Sequence, residues 1–116
     1  MNNLKKDREF QIIYNSGRKS FGYYSLIFFK KNNEKVKRCG FVVSKKTGNA
    51  VCRNRLKRLF REYYRKYEEQ IKDEYDIIFI AKRTAGEKIK TLKYGDMEKD
   101  LLKVMKTSKL FKEQEN

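Results

Sequence analysis

The residues best placed to do chemistry are cationic. Between Lys37 and Lys66 lie Lys37, Arg38, Lys45, Lys46, Arg53, Arg55, Lys57, Arg58, Arg61, Arg65 and Lys66, against one acid, Glu62. This stretch holds ten of the chain's net fifteen positive charges. Its chemistry is anion binding. Arginine forks match phosphate oxygens two at a time, and an amide such as Asn54 can hydrogen-bond a base edge or a 2′-hydroxyl. At helical spacing Lys57, Arg61, Asn54, Arg65 and Arg58 fall within a sector of about 100°. Cations four residues apart repel one another, and a polyanion relieves the repulsion. A solvated helix face is the plainer reading of most charge runs. One compensating acid among eleven cations argues against it here.

No independent catalytic constellation accompanies these cations. The chain has no histidine. The acids Asp73, Glu74 and Asp76 are scattered, with no spacing that marks a two-metal nuclease. Lys45, Lys46 and Gly48 give only a weak anion-binding hint, short of a phosphate loop. The sequence therefore nominates no catalytic residue and no metal ligand. Cys39 and Cys52 are expected to be free thiols in a reducing compartment, and without histidine they make no Cys/His zinc pattern. Phe10, Tyr14, Tyr23, Tyr24, Phe28 and Phe29 exceed what a small core needs. Some could stack on unpaired bases, although core packing is the default reading for any one ring.

The elements that must position these groups are legible from periodicity. Leu4, Phe10, Ile13 and Tyr14 predict a short amphipathic helix over Leu4 to Asn15, ended by Gly17. Tyr23 to Lys31 and Val36 to Ser44 read as strands joined in a hairpin at Asn32-Asn33, with a short extra strand at Ser20 and Phe21. Lys45 to Asn49 form a basic connection. A long helix follows from Ala50 to about Ile71, with Leu56, Leu59, Phe60, Tyr63 and Tyr67 on one stripe opposite the cations. The apolar run Ile77 to Ala81 predicts a central strand. Thr84 to Lys93 reads as a loop. Tyr94 to Met105 reads as a last helix with Met97, Leu101, Val104 and Met105 inward, and the tail is expected to fray from about residue 108.

At 116 residues, with no proline and no repeat or linker, the chain is expected to form one domain over residues 1–116. Charged and hydrophobic residues each make up 39%. Sixteen Phe and Tyr residues argue against a disordered chain. A net charge of +15 predicts a polyanionic partner, nucleic acid before membrane, because the apolar stripe that a membrane would take is needed by the core. No apolar run is long enough to span a bilayer and Met1 to Glu9 lacks a signal-peptide core, so the expected location is the cytoplasm.

The run Lys45-Lys46-Thr47-Gly48-Asn49-Ala50-Val51-Cys52-Arg53-Asn54-Arg55-Leu56-Lys57-Arg58-Leu59-Phe60-Arg61-Glu62 closely resembles the signature of the bacterial ribonuclease P protein component. The likeness extends over about Leu4 to Lys112, through Phe10, Gly17, Gly40 and the run from Asp76 to Arg83. The resemblance implies an α+β fold, a two-layer sandwich in the order α-β-β-β-α-β-α with a left-handed βαβ crossover through the long helix. It implies a catalytic RNA partner that cleaves precursor tRNA with Mg2+ positioned mainly by RNA, and a protein that steadies the RNA and grips the 5′ leader. No cofactor is expected on the protein itself, and no membrane or obligate protein partner. The family's basic motif maps onto Arg53, Asn54, Arg55, Lys57, Arg58 and Arg61, to which the helix face adds Arg65. Lys45, Lys46 and Asn49 are further candidate RNA contacts. The leader cleft maps onto Phe10, Tyr14 and Phe28. A ribosomal or general structured-RNA-binding protein, or a DNA reader using the long helix, are the rival readings.

Overall fold

A computed structural model describes residues 1–113. Eight elements follow in order: α1 (Asp7–Ser16), β1 (Arg18–Phe21), β2 (Ser25–Lys31), β3 (Arg38–Val42), α2 (Ala50–Tyr67), β4 (Tyr75–Ala81), α3 (Arg83–Glu87) and α4 (Tyr94–Thr107). Short 3₁₀ turns at Lys45–Thr47 and Glu68–Gln70 flank α2. The order is the expected α-β-β-β-α-β-α with one addition. α3 forms inside the stretch expected to be a loop, because Ala85 is buried and the turn closes against the loop before α2.

The sheet order is β1-β2-β4-β3. β1 and β2 pair antiparallel, as do β2 and β4, while β3 runs parallel to β4. The expected hairpin between the second and third strands is therefore absent. The tight hairpin joins β1 and β2, and β4 is inserted between β2 and β3. Two features explain the insertion. Ile77, Ile78 and Phe79 are all fully buried, which requires cover on both faces and a neighbour on each edge. The connection from Asn32 to Lys37 then has to pass the start of β4, and Asn32 fastens it there. Its backbone N–H donates to the Glu74 carbonyl at 2.7 Å, and its side-chain amide donates to Asp76 at 2.7 Å.

Alternation along the strands divides the interior. Ile27, Phe29, Cys39, Ile77 and Phe79 face α2 and α4, whose Leu56, Phe60, Tyr63, Met97 and Leu101 complete the main core. Phe79 lies at its centre, with ring centroids 5.7–6.4 Å from Phe41, Phe60, Tyr63 and Tyr64. The α2/α4 layer and the sheet make the two-layer body. On the opposite face α1 packs Ile13 against Ile78, beside Leu4. All four inward residues expected of the last helix are buried, and so is the expected α2 stripe apart from half-buried Tyr67. Tyr64 joins that buried set although the spacing from Leu56 did not single it out.

The segment after α4, expected to fray from about residue 108, is instead docked through Lys112. Leu110 is buried, Phe111 bridges to Ile71, the Lys72 N–H donates to the Leu110 carbonyl at 2.8 Å and the Lys112 N–H donates to that of Gln70 at 2.7 Å. Fraying was expected because the segment is polar and terminal. The part of that expectation covering residues 114–116 lies outside the described residues. Cys39 and Cys52 are free and buried. Among the described residues, no helix is long and apolar enough to cross a membrane.

Candidate nucleic-acid interface

The basic motif opens α2. Asn49 caps it, its side-chain oxygen accepting from the Cys52 N–H at 2.9 Å, which satisfies one of the unpaired donors of the first turn. The preceding loop, carrying exposed Lys45 and Lys46, is held by a close backbone approach. Thr47 is buried, and a Cβ placed on Gly86 would lie 1.8 Å from the Thr47 carbonyl oxygen. Only glycine lets α3 come that close.

The seven motif residues divide by what they touch. Arg53 Nη1 donates to the Gly48 carbonyl at 2.9 Å, and Arg55 Nη2 donates to the Leu92 carbonyl at 2.7 Å. Both sit at the margins of the cationic sector and lean back to brace the loop before α2 and the segment before α4. Asn54, Lys57, Arg58, Arg61 and Arg65 make no side-chain hydrogen bond or ion pair among the described residues, and all are exposed or half-exposed. The face drawn from helical periodicity is thus a set of unpaired donors, backed by a stripe that is buried apart from half-buried Tyr67. Its neighbour Lys66 is different, because it reaches Glu98 at 2.6 Å. That contact, with the Tyr67 and Tyr94 hydroxyls, draws the Glu98 carboxyl below the usual range. Lys66 therefore ties α2 to α4.

The aromatic candidates divide by strand parity. Phe28 points to the α1 side of the sheet, and Tyr14 stands edge-on to it with centroids 4.9 Å apart. Phe10 lies 6.4 Å from Tyr14. All three rings are half-buried, and burial pushes the Tyr14 phenol upward. Phe10 reaches its place over a bare stretch of β3, since a Cβ on Gly40 would come within 2.7 Å of its ring. Phe29 points the other way into the main core, and Tyr24 packs against that core. Tyr23 is exposed and meets Tyr24 edge-on. Sequence reasoning missed Lys19, whose ammonium lies 5.5 Å from the centre of the Phe28 ring. Its position opposite Phe28 in the β1–β2 ladder was the available signal.

One network sets the angle of α1. Glu9 accepts from the Lys5 and Lys6 N–H groups at 2.9 Å with one oxygen, and from Arg38 at 2.8 Å with the other. Those backbone donors, with Arg38, hold its carboxyl below the usual range. Arg38 also grips Asp76 through two nitrogens, at 2.8 and 2.7 Å, and the Asp76 hydrogen bond raises the guanidinium pKa further. Among the described residues, no three His, Cys, Asp or Glu side chains come together as a metal-binding group.

The likeness to known proteins covers the whole of this arrangement. The ribonuclease P family model matches residues 1–109. The ribonuclease P protein component of Fusobacterium nucleatum is 60% identical over 110 residues, covering 95% of this chain and 99% of that one. The counterpart from Alkaliphilus metalliredigens is 40% identical over 94% of this chain and 95% of its own. Among solved structures, the Staphylococcus aureus ribonuclease P protein superposes with a TM-score of 0.86 at 33% identity, over 97% of this chain and 99% of that one. The Thermotoga maritima protein gives 0.84 at 30%, over 92% and 97%. The family model and these relatives each span more than nine-tenths of the chain, and the chain therefore belongs to the bacterial ribonuclease P protein component family.

Proposed function

We propose that the chain is the protein subunit of the ribonucleoprotein endoribonuclease that removes the 5′ leader from precursor tRNA, acting in the cytoplasm with a catalytic RNA. In this reading Arg58, Arg61, Arg65 and Lys57 dock on phosphates of that RNA, with Asn54 supplying directional hydrogen bonds. Arg53 uses part of its donor set to hold the loop at Lys45, Lys46 and Asn49 in place, Arg55 uses part of its own to hold the segment before α4, and both offer the remainder to RNA. Phe10, Tyr14 and Phe28 take the single-stranded leader by stacking, and Lys19 offers a charge to a phosphate beside Phe28.

The chemical step belongs to the RNA. In this reading the Mg2+ that the holoenzyme needs is positioned mainly by RNA. The protein supplies binding energy and orientation.

The observation that carries this reading is the ring trio, left half-exposed on a sheet face that α1 covers only in part, while the opposite face is filled. The test compares the holoenzyme's affinity for leader-bearing precursor and for mature tRNA, with the wild-type protein and with Tyr14→Ala. Loss of one stacking contact is worth about 1–3 kcal/mol and should fall on the precursor alone. Equal losses for both ligands would remove the cleft from the leader's path.

A further inference from the structure

A second cationic concavity lies away from the motif helix. It has a volume of about 480 Å³ and sits at the end of the sheet where β1 begins, β2 ends and β4 begins. Arg18, Lys30, Lys31, Lys72 and Lys109 line it, together with Tyr75 and without an acid. The five cations come from four separate stretches of chain, so their convergence is a product of the fold and not of a local charge run. Lys31 has a loose partner in Glu74, at 3.7 Å and exposed. Arg18, Lys72 and Lys109 have no side-chain partner among the described residues.

The backbone at Lys109 is an independent sign that a side chain is wanted there. α4 ends in a complete Schellman closure. The Leu110 N–H donates to the Met105 carbonyl and the Lys109 N–H to the Lys106 carbonyl, both at 3.1 Å. The residue at Lys109 takes a φ of 57°, the left-handed region for which such a position normally uses glycine. A lysine here keeps a backbone cost that glycine would remove. Leu110, buried immediately after it, prevents the strain from relaxing by fraying. The closure therefore fixes where this cation is presented.

We propose that this concavity is a second binding site for an RNA phosphodiester backbone, separate from both the α2 face and the aromatic cleft. The proposal rests on the reading above that the chain's partner is RNA. Its lining runs from Gly17 at the end of α1 to Phe29 on the sheet face opposite Phe28 and includes none of Phe10, Tyr14 and Phe28, so the concavity is distinct from the aromatic cleft. The segment belongs to the catalytic RNA or to the tRNA body, which present the same phosphate chemistry.

Lys109→Gly allows a test in which folding and binding move in opposite directions. The substitution removes the charge and relieves the backbone, so the melting temperature should hold or rise. Combined with Arg18→Gln and Lys72→Gln, it should weaken RNA binding about tenfold near physiological salt and lower the slope of log affinity against log salt, by up to about 0.9 per lost contact. One arm titrates the protein with the catalytic RNA, and the other titrates the holoenzyme with precursor tRNA. A loss in the first assigns the site to the catalytic RNA, and a loss only in the second assigns it to the substrate. The charge-matched control, Lys90→Gln, Lys99→Gln and Lys103→Gln, should change neither by more than about twofold. Unchanged affinity and slope in both arms, or an equal loss in the control, would overturn the proposal. Failure of the wild-type protein to raise precursor cleavage would instead strike at the reading on which the site depends.

Discussion

Arg38 Nη1 lies 2.8 Å from the Glu9 carboxylate while the same guanidinium grips Asp76 through its other two nitrogens, so one side chain joins α1 to β3 and β4. Asp76 is 4% exposed. Arg38→Ala would leave that carboxylate buried with only Asn32 as a side-chain donor and would release α1. The expected cost is about 3 kcal/mol, read from a urea melt. Glu9→Gln, which keeps the shape, should cost less than about 1 kcal/mol and yet reduce leader affinity if the angle of α1 matters. A leader affinity indistinguishable from wild type in Glu9→Gln would detach the network from the cleft.

The acid limb of the stability curve follows from the same contacts. Glu9, Asp73 and Glu98 all have carboxyls held below their ordinary range, by backbone donors, Lys37 and Lys66 respectively. The unfolded chain therefore takes up protons first as pH falls. The stability these groups contribute is present above about pH 5 and drains away below about 4.5. With no histidine in the chain, urea midpoints should be flat from about pH 5.5 to 8. A step between pH 6 and 7 would contradict this assignment. On the alkaline side, burial pushes the Cys39 thiol up to about 12, so it should resist thiol reagents at pH 8 in the native protein.

The Tyr63 and Tyr64 hydroxyls are buried, Tyr63 without a hydrogen-bond partner among the described residues and Tyr64 with only the weakly bonding Cys39 thiol beside it. Each hydroxyl carries a desolvation cost that no strong hydrogen bond offsets, and burial raises both phenols far above their ordinary range. Tyr63→Phe and Tyr64→Phe should leave stability unchanged or raise it by up to about 1 kcal/mol. Phe79→Ala, at the centre of the same cluster, should cost about 3–5 kcal/mol. Destabilisation by more than about 1 kcal/mol in either phenylalanine variant would reveal an undetected partner, such as an ordered water.

The α2 face separates docking geometry from net field. Arg58→Gln or Arg61→Gln should weaken assembly with the catalytic RNA and reduce the salt slope by at most about one unit per contact. The fold should survive, because neither side chain has a partner among the described residues and mutual repulsion is relieved. Arg61→Lys keeps the charge and loses the fork, so a defect there would indicate bidentate phosphate contacts. Glu113→Gln should leave assembly unchanged. Circular dichroism checks the fold, and unchanged slopes in both glutamine variants would move the RNA interface elsewhere.

Much of this was legible in the sequence, for identifiable reasons. The α2 face followed from helical spacing, and the central strand from the run Ile77 to Ala81, because both are set by local periodicity. The β2–β3 hairpin was misplaced because spacing describes each strand and not its neighbour. Asn32-Asn33 looked like a tight turn, whereas Asn32 anchors a longer crossing over β4. The docked tail escaped notice because its cap residue is Lys109 where a glycine would have signalled it. The bracing roles of Arg53 and Arg55 depend on carbonyls that the fold alone brings near. By residue type alone Phe28 and Phe29 were equal candidates for stacking, and the side of the sheet each takes depends on the strand's placement in the fold.

The division of labour between protein and RNA is tested most directly by a cleavage assay on precursor tRNA. Protein freed of RNA, catalytic RNA alone, and the two together are compared at low Mg2+ on a 5′-labelled substrate. The account predicts no cleavage by the protein, weak cleavage by the RNA, and faster cleavage at the leader junction by the pair. Cleavage by the RNA-free protein, or no gain on adding it to the RNA, would contradict the account.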